Sequence, residues 1–264
     1  MTIPAHPEGN SRKERVRRLI PLVVCLVTLF LIIPRREMHV YDGFESAGLS
    51  SHWLQWRLVP GAFRVQSAVV RAGHSAGEIT VRSGDRREAA SEGGKATERD
   101  ELMEAWWLFA HLDHTYRYSF SLYLPADFPI VSTRLVLAQW KQLCDWIPCR
   151  PDNPVLALRY KDGELSVARK DDLGKSVLYS TKQEIRGRWL DFRFETRFSR
   201  GQAGQINGWL NGEPIVHYLG PNVYQHHTGI LARLVYFKMG LYRDEMQQPM
   251  TIFVDEYRKD ELSP

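Results

Sequence analysis

After residue 38, apolar and polar residues alternate with a period of two through most of the chain, and no long run at helical spacing interrupts them. Trp189 to Phe198 shows the pattern plainly. Leu190, Phe192 and Phe194 fall on one face, and Asp191, Arg193, Glu195 and Arg197 on the other. Side chains of a strand point alternately to its two faces, so one face is built for a core and the other for water or a ligand. The same reading predicts strands at 39–45, 63–66, 68–71, 78–82, 116–124, 134–141, 155–160, 165–169, 206–210, 231–241 and 250–258. Asp162-Gly163 and Asn211-Gly212 lie between such segments and supply the positive φ that tight hairpins require. The charged, Gly-rich stretch 84–101 reads as a long surface loop leading into a strand. Many short strands at this spacing predict an all-β fold, a single antiparallel β-sandwich or β-jelly roll over residues 39–260, with no internal repeat.

The N-terminal segment departs from this pattern. Residues 1–36 hold Arg12, Lys13, Arg15, Arg17, Arg18, Arg35 and Arg36 against Glu8 and Glu14, and Leu19 to Ile33 is uncharged. That stretch is shorter than the roughly 20 residues that span a bilayer comfortably and fits a signal peptide. Pro34-Arg35-Arg36-Glu37-Met38 nevertheless lacks the small-x-small pattern of a cleavage site, so a cleaved signal peptide and a signal anchor both stay open. In either case residues 1–18 form a basic cytoplasmic tail and residues 19–34 a hydrophobic helix. The rest is expected on the far side of the membrane, in the periplasm or outside the cell.

Composition changes the picture in two ways. With 264 residues, 44% hydrophobic and 25% charged, the chain is globular rather than disordered. The formal charge of +4 resides in the first 36 residues, which carry +5, while the other 228 hold 28 basic and 29 acidic side chains. A global field for nucleic acid is thereby excluded, and an anionic ligand must be held by local charge. Cys144 and Cys149 are the only cysteines of the exported part, and a disulfide between them is expected in an oxidising compartment. No second ligand pair accompanies them, so a metal site is not expected.

Candidate chemistry gathers on three segments. In Tyr236-Phe237-Lys238-Met239-Gly240-Leu241-Tyr242, alternation puts Tyr236, Lys238 and Tyr242 on one face, with Gly240 either admitting a ligand closely or permitting a bend. Gln139 and Lys141 share a face of another strand, and Arg99 and Glu101 begin a third. Taken alone, each is consistent with an amphipathic strand whose polar face meets water. Two phenols, an amide and several cations also suit an acidic sugar. Arg159 either lines the same groove or is solvated. The His111/His114 and His226/His227 pairs read as loop residues, and most of the eight tryptophans as core.

The order and spacing of Glu98-Arg99-Asp100-Glu101, Ala138-Gln139-Trp140-Lys141, Asn207-Gly208-Trp209-Leu210-Asn211-Gly212, Tyr236 to Arg243 and Phe253-Val254-Asp255-Glu256 are similar to a known set of motifs. From about Tyr41 to Lys259 the chain resembles the jelly-roll polysaccharide lyases of the heparin lyase I and glucuronan lyase group, which share their motif layout with jelly-roll alginate lyases. The resemblance implies β-elimination on a 4-linked uronic-acid polymer, leaving a 4,5-unsaturated sugar. It implies Tyr242 as the catalytic tyrosine, and Gln139 and Arg99 as the groups that neutralise the substrate carboxylate. Lys238, Tyr236, Glu101, Arg159 and Arg243 are expected to bind substrate. One position departs from the family: Lys141 stands where Gln-x-His has histidine. Lysine is normally protonated and a poor base, which leaves three outcomes: Lys141 as base, Lys141 as carboxylate ligand with Tyr242 making both proton transfers, or a lectin-like module without catalysis. The second is favoured. The expected partner is an acidic polysaccharide, with the membrane as a second contact through Leu19 to Ile33. Nucleic acid is not expected, nor is a cofactor; structural calcium is left open, and a monomer is expected.

Overall fold

The computed structural model describes residues 38–89, 94–144 and 153–263, within one compact unit that begins at Met38. The basic tail, the hydrophobic helix over 19–34 and Cys149 of the expected disulfide lie outside the described residues. Among the described residues no helix is long and apolar enough to cross a membrane.

Two antiparallel sheets face each other, as the alternation predicts. The first runs β14 (Glu213–Leu219), β13 (Gln205–Leu210), β12 (Arg188–Arg197), β7 (Thr115–Leu124), β16 (Met250–Ser263), β4 (Ala76–Val81), β3 (Phe63–Gln66), with β1 (His39–Asp42) also on β16. The second runs β11 (Gly174–Thr181), β10 (Glu164–Asp171), β9 (Leu156–Lys161), β8 (Leu135–Gln142), β15 (Leu234–Asp244), β5 (Thr97–Glu104), β2 (Trp53–Leu54), with β6 (Ala110–His111) also on β15. Asp162 and Gly163 turn β9 into β10, and Asn211 and Gly212 turn β13 into β14, all four with positive φ. Between the sheets, Leu190, Phe192 and Phe194 of β12 meet Trp140 of β8 and Phe237 of β15. Trp140 lies 4.8 Å from Phe237 and 5.0 Å from Phe194, ring to ring, and is fully buried. Burial of such aromatics dominates the energy of a sandwich core.

The structure corrects three expectations of the pattern. Residues 68–71 form no strand, because the Gln66 side-chain oxygen accepts the N–H groups of Ala68 and Val69 and holds the chain in a turn. Residues 231–233 form a 3-10 turn before β15 begins. The third correction is the largest: the strand expected to begin at Arg99 and Glu101 is β5, which takes in the end of the supposed surface loop, and all eight of its residues are buried although five are charged. Its four acids find partners from distant segments, while Arg99 pairs with the nearby Glu88. Glu98 pairs with Arg243 at 2.8 Å, Glu101 with Lys238 at 2.7 Å and Glu104 with Lys259 at 3.0 Å. Asp100 accepts the Val59 N–H at 2.8 Å, and burial pushes its carboxyl up to about 7. Buried charges persist only when they are paired and hydrogen-bonded in this way.

Candidate active site

The second sheet turns Phe237, Met239 and Leu241 of β15 into the core, so the intervening residues face outward, where a groove of about 490 Å³ crosses β5, β15, β8 and β9. Arg99, Gln139, Lys141, Lys238 and Tyr242 all line it, from three neighbouring strands. Lys238 stands opposite Gln139, and Tyr242 opposite Arg99, in the ladder. The four residues expected to carry catalysis are therefore gathered at one place, and Arg159 of β9 joins them.

Gly240 is what brings β5 and β15 together. Its φ is +143°, and a Cβ there would stand 2.4 Å from the Asp100 carbonyl oxygen and 2.7 Å from the Glu101 Cα. The residue serves the bend rather than an opening for ligand. It sits in a bulge, where β15 spends three steps from Met239 to Tyr242 against two on β8.

Below the groove surface lies a charged layer. Glu101 and Lys238 each expose only 2% of their side chains. Glu101 accepts from Lys238 through one oxygen and from Gln139 Nε2 through the other, and lies 3.9 Å from Arg99. Because a carboxylate can only accept, the Gln139 amide must turn its nitrogen towards Glu101. Burial alone would raise the Glu101 carboxyl, but Lys238 and Arg99 outweigh it and hold it below the usual range. Glu101 is thus no substrate ligand: it is used up in orienting Gln139 and neutralising Lys238.

Around Tyr242 the charge is positive. The Arg99 guanidinium lies over its ring at 4.4 Å, and Arg134 Nη1 donates to its oxygen at 2.8 Å. Lys141, on the next strand, is brought down to about 8 by burial and by the charges of Lys238 and Arg99. Arg99 also pairs at 2.5 Å with Glu88, which is half exposed at the groove edge.

Two other expected ligands are placed elsewhere. Arg243 follows Tyr242 and therefore points to the opposite face, where it is fully buried against Glu98. Tyr236 shares the groove's sheet face but packs with Met103 and Phe109, 5.3 Å from the Phe109 ring, and burial pushes its phenol up to about 12. The histidine pairs bind acids, His114 to Glu261 at 2.6 Å and His226 to Asp172. Among the described residues no group of three or more His, Cys, Asp or Glu side chains is arranged to hold a metal ion. Most described tryptophans are at least partly buried, but Trp106 and Trp107 are exposed.

Sequence reasoning missed Arg134, Lys95, Asn153 and Glu88, all of which line the groove. Arg134 has the wrong parity relative to Gln139 and Lys141. A bulge between Val136 and Ala138 of β8 switches the phase and returns Arg134 to the groove side.

The class so defined is an antiparallel β-sandwich whose outer sheet face carries a tyrosine beside several cations. The comparisons place it more closely. The family described as Polysaccharide lyase matches residues 43–258, and the chain belongs to that family. Its fold is similar to that of endo-beta-1,4-glucuronan lyase from the fungus Trichoderma reesei, at 14% identity over 84% of this chain and 94% of that one, with a TM-score of 0.64. It is also similar to the cellulose induced protein Cip1, at 12% identity, 83% and 96% coverage and a TM-score of 0.54. A third similar structure is alginate lyase A1-II', a member of polysaccharide lyase family-7, at 13% identity, 81% and 85% coverage and a TM-score of 0.51. At these identities the likeness is one of fold. No curated protein matches the sequence.

Proposed function

We propose that the chain is a polysaccharide lyase cleaving a 4-linked uronic-acid polymer by β-elimination. The observation that carries this reading is the convergence of Tyr242, Arg99, Gln139 and Lys141 on one cationic groove. The substrate carboxylate takes the place beside Arg99, with Gln139 and Lys141 as further donors. Neutralising it lets charge from C5 spread into the carboxylate as the C5 proton leaves, and preorganised donors of this kind are worth about 3 kcal/mol each. Tyr242, as phenolate, takes the C5 proton. The freed electron pair forms the C4–C5 double bond, the C4–O bond breaks, and the phenol returns its proton to the departing oxygen. Proton and charge balance, and Tyr242 ends as it began. One residue can serve as base and acid in turn because the same proton is moved.

The second reading is an anionic-polysaccharide binding module of the cell envelope, favoured by Lys141 in place of histidine. The domain purified without residues 1–38 is to be incubated with glucuronan, alginate and heparin-type polymers while the absorbance of the new double bond is followed. Product formation that Tyr242→Phe abolishes supports the lyase. Polymer binding by a folded protein without product selects the binding module. We further place the domain outside the cytoplasm, held by Leu19 to Ile33, with Cys144 and Cys149 joined; two titratable thiols in the unreduced exported protein would exclude the bond.

A further inference from the structure

The geometry points to Arg134 as a positioning residue for Tyr242, with Asp244 as the group that positions Arg134 in turn. This inference rests on the lyase reading for its kinetic consequence but not for its direct test. A guanidinium has only donors, so the 2.8 Å contact from Arg134 Nη1 to the Tyr242 oxygen occupies a lone pair of that oxygen. In the protonated state the single phenolic hydrogen must therefore point away from Arg134. Arg134 is not a loose surface side chain aimed by chance. Its backbone N–H donates to Asp244 Oδ2 at 3.0 Å, its Nε lies 3.3 Å from Asp244 Oδ1, and its carbonyl accepts the Asp244 N–H at 3.1 Å. Asp244 ends the strand that carries Tyr242, so carboxylate, guanidinium and phenol are fixed to one another through two residues of β15. The acid orients the guanidinium, the guanidinium orients the phenol, and the phenol faces the sugar.

The arrangement also supplies charge where the reaction needs it. When Tyr242 carries its proton to the substrate oxygen, the phenolic oxygen becomes anionic, and a hydrogen bond with a cationic donor strengthens as that charge develops. Arg99 of β5 faces the ring rather than the oxygen, at 4.4 Å from the centroid, and Arg159 of β9 acts on Tyr242 through its charge without a hydrogen bond. Arg134 alone makes a hydrogen bond to the phenolic oxygen among the described residues.

The test uses Arg134→Met and Arg134→Lys. In the lyase assay, Arg134→Met is expected to lower kcat about a hundredfold, with KM and thermal stability close to those of the parent. Arg134→Lys, which keeps one donor and the charge, is expected to recover about a tenth of the parent kcat. A direct measurement needs no turnover. In a crystal structure of the parent the Tyr242 phenol should hold one orientation with Arg134 Nη1 within hydrogen-bond distance, and in Arg134→Met the phenol should lose that orientation. An unchanged Tyr242 orientation in Arg134→Met, or an unchanged kcat, overturns the positioning role. A displaced phenol in a protein that makes no unsaturated product would sink the lyase reading and leave this one standing.

Discussion

Lys141 decides how the groove works, and the two roles open to it carry opposite pH signatures. Its ammonium is brought down to about 8 by burial and by Lys238 and Arg99. About nine in ten molecules then hold the charge at pH 7 and about one in ten at pH 9. If the protonated form binds the substrate carboxylate, the Lys141 contribution to kcat/KM falls about tenfold between those values. If the neutral amine is the base, that contribution rises by the same factor. Profiles of kcat/KM report the free enzyme, so the raising of this group by a bound carboxylate does not blur the comparison. Lys141→Arg stays charged throughout the range and should remove the fall above pH 8 while keeping most of the activity. Lys141→Met should raise KM about ten- to hundredfold, as expected for losing a hydrogen bond to a charged group. Initial rates of double-bond formation from pH 6 to 10 for the three proteins settle the matter. A limb that rises through pH 8 in the parent and vanishes in Lys141→Arg would refute the binding role and make Lys141 the base.

Glu88 occupies Arg99 before any substrate does, yet half of its side chain is exposed, so Glu88→Ala should lower the KM for a uronate oligomer about fivefold and leave kcat alone; a raised KM would refute this. Lys238→Met leaves the buried Glu101 with only Gln139 and, at 3.9 Å, Arg99, and should cost about 3 kcal/mol, seen as a loss of roughly 6–12 °C in thermal unfolding. Losing Lys238 raises the Glu101 carboxyl relative to the parent, so the loss should be full where both proteins hold it ionised and shrink as pH falls through the carboxylate range; a loss independent of pH would count against the explanation. Gly240→Ala forces a Cβ against the Asp100 and Glu101 backbone and should destabilise by about 2–4 kcal/mol, and unaltered thermal unfolding would show that the strand contact is not needed.

Period-two alternation was enough to find most strands, because β7, β12 and β16 each bury one face against the opposite sheet. The site was legible for the same reason: Gln139, Lys141, Lys238 and Tyr242 lie on outward positions of neighbouring strands. Four things escaped the pattern, each for a physical cause. The start and the burial of β5 were hidden because three of its acids find partners 130 or more residues away, Glu98 in Arg243, Glu101 in Lys238 and Glu104 in Lys259. Arg134 was hidden by a bulge that no period reveals. Arg243 was misjudged as a ligand although alternation itself sends it inward, since its charge suggested the groove and its parity did not. β11, with its apolar residues half exposed at a sheet edge, carried too weak an alternation to be seen.

The charged layer beneath the groove explains why so many cations can stand together there. Arg99, Lys141 and Lys238 each oppose the others' charge, and Lys238 is buried as well, which by itself favours the neutral amine. Glu101 lies under all three and is the acid that offsets this repulsion, while Gln139 uses the same carboxylate to fix its amide. A single buried acid on β5 therefore holds both the charge and the orientation of the groove wall. Beyond residue 36 the chain as a whole, this wall included, is almost neutral, with 28 basic against 29 acidic side chains. The attraction for the proposed polymer, with one carboxylate per sugar, is therefore local. It is set at the strands that carry Tyr242 rather than by the charge of the molecule, and at physiological salt such a field reaches only about 8 Å. For the proposed polyanion, entry into the groove brings its carboxylates to a place where a phenol and its guanidinium partner are already aligned.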